Sequence, residues 1–265
     1  LGPRAGSRTA DVLLTTAADR VEKVVPALAA LIDRERNRDV QSACLVALGK
    51  VGVDGRDAAG DAIALQDLLR SRVRRDNQEV RETAVLAMGI AGRREAFDAL
   101  RDLFSDTAAG RALADRESVR KRTRAYAAYG LGLLARRVAD AQLSEQIYDV
   151  LWAGLQDEEN DDRDLKVAVV SAIGVLRADA SRSADKRLAW RAVDDLLGWF
   201  GRELGATEES LQAHAPIAVA RLLGRGTSRV HRRAKELFRG ELSARKRRGP
   251  PILQSCAIAL GMLAV

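Results

Sequence analysis

The chain runs to 265 residues, 47% of them hydrophobic and only 4% aromatic, with 44 lysines and arginines against 37 aspartates and glutamates. That length supports a substantial core, but no apolar run reaches the roughly 18 residues of a membrane span; the best candidate, Leu165 to Leu176, is interrupted by Lys166 and Ser171. Two cysteines and two histidines exclude a disulfide framework and a four-thiolate zinc site, so no metal or other cofactor is expected.

Two helical patterns alternate along the chain. Apolar residues at helical spacing mark Val21 to Ile32, followed by a second pattern that closes near Gly49. The pair recurs as Ala62 to Val73 with Gly89, Glu95 to Phe104 with Gly130, Gln142 to Leu155 with Gly174, Trp190 to Leu204 with Gly224, and Val230 to Leu242 with Gly261. Two positions before each glycine stand Ala47, Ala87, Ala128, Ala172, Leu222 and Ala259; five before it, Cys44, Ala84, Ala125, Val169, Val219 and Cys256. Nine before it, Val40, Val80, Lys121, Leu165, Ala215 and Ile252 complete an apolar stripe along one side of each second helix. Small residues in the alanine column let two backbones approach closely, and each glycine is expected to end its helix in a left-handed conformation. Pro216 and Pro251 sit at the starts of the fifth and sixth second helices, where a missing amide hydrogen costs nothing. Hairpins that cannot bury their faces alone must stack. The expected fold is all-α, a solenoid of helical hairpins at residues 19–52, 58–92, 93–136, 142–178, 187–226 and 228–265.

Segments such as Val80-Arg81-Glu82-Thr83-Ala84-Val85-Leu86-Ala87-Met88-Gly89-Ile90-Ala91-Gly92 resemble HEAT repeats, in particular the short variety of phycobilisome-lyase-like proteins. The resemblance spans residues 19–264 and weakens in the fifth hairpin, where Leu222 stands in the alanine column. It implies an armadillo-like, right-handed superhelix with first helices on the convex side and second helices on the concave side, used most often to hold other macromolecules. Fold alone does not supply an activity. The last repeat carries Ile258, Met262 and Leu263 with no polar capping helix, whereas terminal repeats normally present a polar outer face. With no initiator Met and no signal-peptide pattern in Leu1 to Ser7, a fragment of a longer protein is expected, with an end-to-end contact at the uncapped repeat. The sequence assigns no compartment, and a soluble, cytoplasmic one is favoured.

Chemistry-bearing residues are sparse. Cys44 and Cys256 share an alanine-sized column, which core packing explains, and five repeats apart they are too distant for a disulfide. His214 and His231 have no partner at ligand spacing, so the repeated His-Glu pairs of iron-binding HEAT-like hydroxylases are missing; both histidines read as surface residues. Gly49 to Gly60 lacks the Gly-Lys-Ser/Thr ending of a phosphate-binding loop and reads as a solvated connection. The acidic run Asp157 to Asp164 misses calcium-loop spacing; it reads as a turn with Asp162 or Asp164 at a helix amino terminus, where negative charge is favoured.

Eight positions before each glycine stand Gln41, Arg81, Arg122, Lys166, Pro216 and Leu253. Three successive cations at a helix-layer spacing of roughly 8–10 Å could track an acidic or phosphate-bearing ligand. The favoured reading is internal, a ladder between neighbours with turn aspartates such as Asp76 and Asp164. Residues 225–248 hold ten basic side chains against two acidic ones, so the whole net charge of +7 resides in the last repeat. Partner-binding candidates are therefore Arg81, Arg122, Lys166, Arg229, Arg232, Arg233, Arg245, Lys246, Arg247 and Arg248. The leading expectation is a non-enzymatic scaffold for a protein partner, through the concave face or the basic end; the alternative is phosphate-backbone binding of nucleic acid by residues 225–248. A HEAT-like DNA glycosylase is disfavoured, because Trp152, Trp190 and Trp199 lie on first helices and aromatic residues are few for base stacking. A chromophore-lyase subunit is disfavoured too, since the resemblance transfers no active-site residue.

Overall fold

The computed structural model describes residues 16–74, 77–159, 161–176, 183–202, 204–244 and 248–264. A short α1 (Ala17–Asp19) continues through a π-helical turn at Arg20–Val24 into α2 (Val25–Arg34), which pairs with α3 (Arg38–Val51). Thr16 and Asp19 start this run with a reciprocal capping box. The Asn37 side chain opens α3 by accepting from the Asp39 and Val40 amides. Next, α4 (Leu65–Val73) pairs with α5 (Gln78–Ala91), and α6 (Phe97–Phe104), after the short α7 (Ala108–Ala114), pairs with α8 (Lys121–Arg137). Then α9 (Ala141–Gln156) meets α10 (Arg163–Ile173); α11 (Ser183–Phe200), after α12 (Ala206–Gln212), meets α13 (Ala215–Leu223); and α14 (Arg229–Ser243) meets α15 (Pro250–Leu263). The second helices α3, α5, α8, α10, α13 and α15 each lie against the next, and one continuous apolar cluster runs from Val25 to Leu263. The architecture is an all-α solenoid.

The glycine column ends helices at two positions and has a different role at others. Gly49, Gly89 and Gly130 lie inside their helices rather than ending them. A Cβ at Gly49 would stand 2.8 Å from the Ala87 carbonyl oxygen, one at Gly132 2.6 Å from that of Ala172, and one at Gly174 2.8 Å from the Ala218 Cα. At Gly89 it would overlap the Gly130 backbone outright. Gly49, Gly89 and Gly174, with Gly132 beside the column, thus serve the backbone crossing between successive second helices. Within the column Gly174 and Gly224 (φ 62°) do end α10 and α13; α3 and α5 end instead at Gly52 (φ 70°) and Gly92 (φ 68°), in the left-handed position.

Three connections also differ from expectation. Residues Ala62–Ile63 are extended and pair antiparallel with Gly55–Arg56, so α4 begins at Leu65, not Ala62. The Asp57 carboxylate closes this ribbon by accepting from the Ala59 and Asp61 amides, and Asp54 accepts from the Leu65 amide to start α4. The widened turn from Ser105 to Ser118 contains α7, opened by the Thr107 side chain. The long interval before Gly224 is filled by α12, a helix the pattern at Trp190 to Leu204 did not announce. Asp162, of the acidic run, caps α10 through its bond from the Leu165 amide at 2.9 Å.

Candidate interaction surface

Each second helix buries one side against its hairpin partner and neighbours and leaves another uncovered. On α5, Val80, Ala84, Ala87, Met88 and Ala91 are buried, while Glu79, Thr83, Leu86 and Ile90, spaced by three and four, form the uncovered side. The same spacing gives Ser42, Val46 and Lys50 on α3, and Arg122, Tyr126, Tyr129, Leu133 and Arg137 on α8. Helix stacking sets these stripes in register. Thr83 Oγ1 donates to Ser42 Oγ at 3.4 Å, Ile90 Cβ lies 3.2 Å from where a Gly49 Cβ would be, and Val175 Cγ2 lies 3.0 Å from that of Gly132. Val46, Leu86, Ile90, Tyr129, Leu133 and Val175, all half-buried, thereby form an apolar band across successive helices.

The two edges of this band are electrically different. Along the amino-terminal edge, cations meet carboxylates from the neighbouring repeat: Arg38 with Glu79 at 3.3 Å, Arg122 with Glu82 at 2.9 Å, and Lys121 with Asp162 at 3.4 Å. Glu82 is buried and also accepts from Gln78 Nε2 at 2.7 Å, so its charge is doubly compensated. At the carboxyl-terminal edge, Lys50 and Arg137 have no ion pair or hydrogen bond among the described residues. The Arg137 side chain lies across Gly92 and reaches towards Gly52, where the carboxyl ends of α5 and α3 favour a cation.

The cation column resolves into three different environments. Arg81 is 1% exposed, and its Nε donates to the Val73 carbonyl at 3.0 Å; it is an interior residue and is withdrawn as a partner contact. Arg122 is exposed, paired to Glu82, and lies over the Tyr126 ring. Lys166 is half-buried. A ladder between repeats exists, but it joins Glu79, Glu82 and Asp162 to Arg38, Arg122 and Lys121; Asp76 lies outside the described residues.

The basic end is also less uniform than its composition. Arg248 turns inward: it donates to the Phe200 carbonyl at 3.0 Å and to Gln212 Oε1, stands over the Phe200 ring, and faces Glu209 and Glu241. Buried Gln212 in turn donates to the Trp199, Phe200 and Arg202 carbonyls, satisfying the open carboxyl end of α11. Arg248 is therefore a structural plug, corrected from a partner contact. Arg233 pairs with Asp194 at 2.7 Å, and Arg232 donates to the Thr227 carbonyl. Arg225, Arg229 and Arg239 are exposed and have no ion pair or hydrogen-bonded side chain among the described residues. Arg245, Lys246 and Arg247 lie outside the described residues.

The two cysteines and one histidine are interior or tied. Cys44 and Cys256 are free and buried; burial pushes the Cys256 thiol up to about 12, out of nucleophilic range. His231, expected at the surface, is half-buried and bonded through Nδ1 to Ser228 Oγ at 2.7 Å and through Nε2 to the Leu223 carbonyl at 3.3 Å. His214 is exposed, as expected. Among the described residues no group of His, Cys, Asp or Glu is placed to hold a metal ion, and no helix is long and apolar enough to cross a membrane.

Residues 25–120 match the family model described as HEAT repeats. That stretch carries HEAT repeats. Solved structures similar to the chain include an engineered protein, 15% identical with a TM-score of 0.42, covering 89% of this chain and 97% of that one. A designed armadillo repeat protein is 14% identical with a TM-score of 0.40, over 90% and 99% of the two chains. Human deoxyhypusine hydroxylase is 15% identical with a TM-score of 0.34, over 96% of each. The curated proteins give no match to this sequence. The apolar band of the HEAT helices was readable in the sequence as residues three, four and seven apart, but Leu86, Ile90, Tyr129 and Leu133 were indistinguishable there from core positions, because the same helix carries two apolar stripes.

Proposed function

We propose that this HEAT-repeat chain is a non-enzymatic scaffold that holds a protein partner on the uncovered side of its second helices, the side the family places on the concave surface. The observation that carries the reading is the register of successive helices, which extends one apolar band from Val46 to Val175 with Lys50 and Arg137 unpaired along one edge among the described residues. Contiguous apolar surface with a polar rim is the usual composition of a protein-binding patch. Photo-crosslinking in cells tests this, with the reactive side chain placed at Leu86 or, as a control, at Asp98 on the first-helix α6. Defined protein adducts at position 86 and few at 98 are expected; equal labelling, or none at 86, rejects the reading.

A second reading is supported by Arg229 and Arg239 on α14 and Arg225 just before it, which have no carboxylate partner among the described residues. They suit phosphate-backbone contact, which predicts DNA affinity falling steeply with salt. Anisotropy of a labelled duplex across a salt series, with Arg229→Ala and Arg239→Ala as comparison, decides it: salt-insensitive binding, or none, removes it.

A further inference from the structure

The uncovered band is asymmetric in charge, and the asymmetry identifies what fits it. Its amino-terminal edge is neutralised from within, since Glu79, Glu82 and Asp162 consume Arg38, Arg122 and Lys121. At its carboxyl-terminal edge Lys50 and Arg137 are unpaired among the described residues. In the connections beyond that edge, Asp54 is engaged by Arg93 and the Leu65 amide, Asp57 by backbone amides of its own turn, and Asp140 by Arg94 and the Leu143 amide, while the Asp61 side chain is exposed. Arg137 lies across Gly92 towards Gly52, at the carboxyl ends of α5 and α3, which favour a cation there. Between the edges Leu86, Ile90, Leu133 and Val175 offer apolar surface at helix-ridge spacing.

We infer that the band binds an acidic amphipathic helix of a protein partner, its apolar ridge on Leu86, Ile90, Leu133 and Val175 and its carboxylates on Lys50 and Arg137. This rests on the scaffold reading and specifies the chemistry of the partner. A basic helix would set its cations against Lys50 and Arg137. An uncharged apolar helix would leave the cationic edge unmatched, so charge supplies the selection and the band supplies the area.

The test uses the full chain and three fluorescein-labelled probe peptides of 20 residues. One has leucines at helical ridge spacing with glutamates between them; the second replaces glutamate by lysine; the third keeps the first composition but scrambles the spacing. The glutamate ridge peptide is expected to bind at about micromolar Kd in low salt, and the other two about tenfold or more weakly. K50E/R137E is expected to weaken the glutamate peptide by about tenfold and to strengthen the lysine peptide, while Leu86→Asn weakens both. Circular dichroism of each variant must match the parent, which separates lost binding from lost fold. Equal affinity for glutamate and lysine peptides, or no binding of the glutamate peptide at 100 µM or so, overturns the inference. If crosslinking at Leu86 still captures protein in that case, the scaffold reading stands and only the acidic partner falls. A DNA duplex that binds in place of the glutamate peptide and is lost in K50E/R137E also overturns it, in favour of a phosphate ligand.

Discussion

Gln212 and Arg248 illustrate how a side chain's type misleads until its neighbours are known. In sequence, Arg248 closes a run of four basic residues; in the fold its guanidinium is drawn to the unsatisfied carboxyl end of α11, where Gln212 and the Phe200 carbonyl accept from it. Asp106 is a second case. It adopts φ 52° and accepts from the Val119 amide at 2.7 Å and from Arg111, tying the two ends of the connection that contains α7. Partial burial raises its pKa, but the Val119 amide and Arg111 outweigh that and hold it below the usual carboxylate value. A group depressed in the folded state stabilises above its unfolded pKa of about 3.9 and loses that contribution as pH falls through the folded value. Urea unfolding of the parent and of Asp106→Asn should therefore differ by a constant amount above about pH 5 and converge below about pH 4. A difference that does not change with pH would show that the charge contributes nothing.

At the scale of the helix, the glycines set the spacing of the solenoid. Gly89 faces the Gly130 backbone, so Gly89→Ala cannot be accommodated without parting α5 from α8, and a loss of about 1–3 kcal/mol or more is expected. Gly261 belongs to the same sequence column but has nothing within 4 Å of its missing Cβ. There Gly261→Ala should stabilise α15 by up to about 1 kcal/mol, since alanine is the better helix former. Denaturant midpoints of the two variants, moving in opposite directions, check this; a shared direction would mean that helix propensity rather than backbone crossing governs the column. The sequence revealed the column because its spacing persists, but not its purpose. A glycine at a helix end and a glycine at a helix crossing look alike until the neighbouring backbone is placed.

Across the whole molecule, every repeat touches chiefly the repeats beside it, so stability is the sum of local terms and interfaces. The α5 and α8 helices are flanked by second helices on both sides, whereas α15 has α13 on one side and open space at Gly261 on the other. Hydrogen exchange followed by mass spectrometry should give α5 and α8 the slowest amides and α15 faster ones. Gly89→Ala should accelerate exchange in α5 and α8 and leave α13 and α15 near the parent rate; uniform acceleration along the chain would mean that the solenoid unfolds as one unit.

The sequence by itself determined the repeated helical hairpin, its all-α class, the proline-started helices α13 and α15, and a carboxylate, Asp162 or Asp164, at the start of α10. Each depends on spacing or on a residue's own backbone chemistry, which is local. Only the tertiary structure decided that Arg81 and Arg248 lie inside, that Glu82 rather than a turn aspartate answers Arg122, and that Leu86, Ile90, Leu133 and Val175 share one uncovered band. Those facts depend on the register of one helix against the next, and that register is fixed by backbone contact at Gly49, Gly89, Gly132 and Gly174, between residues some forty positions apart, roughly one repeat.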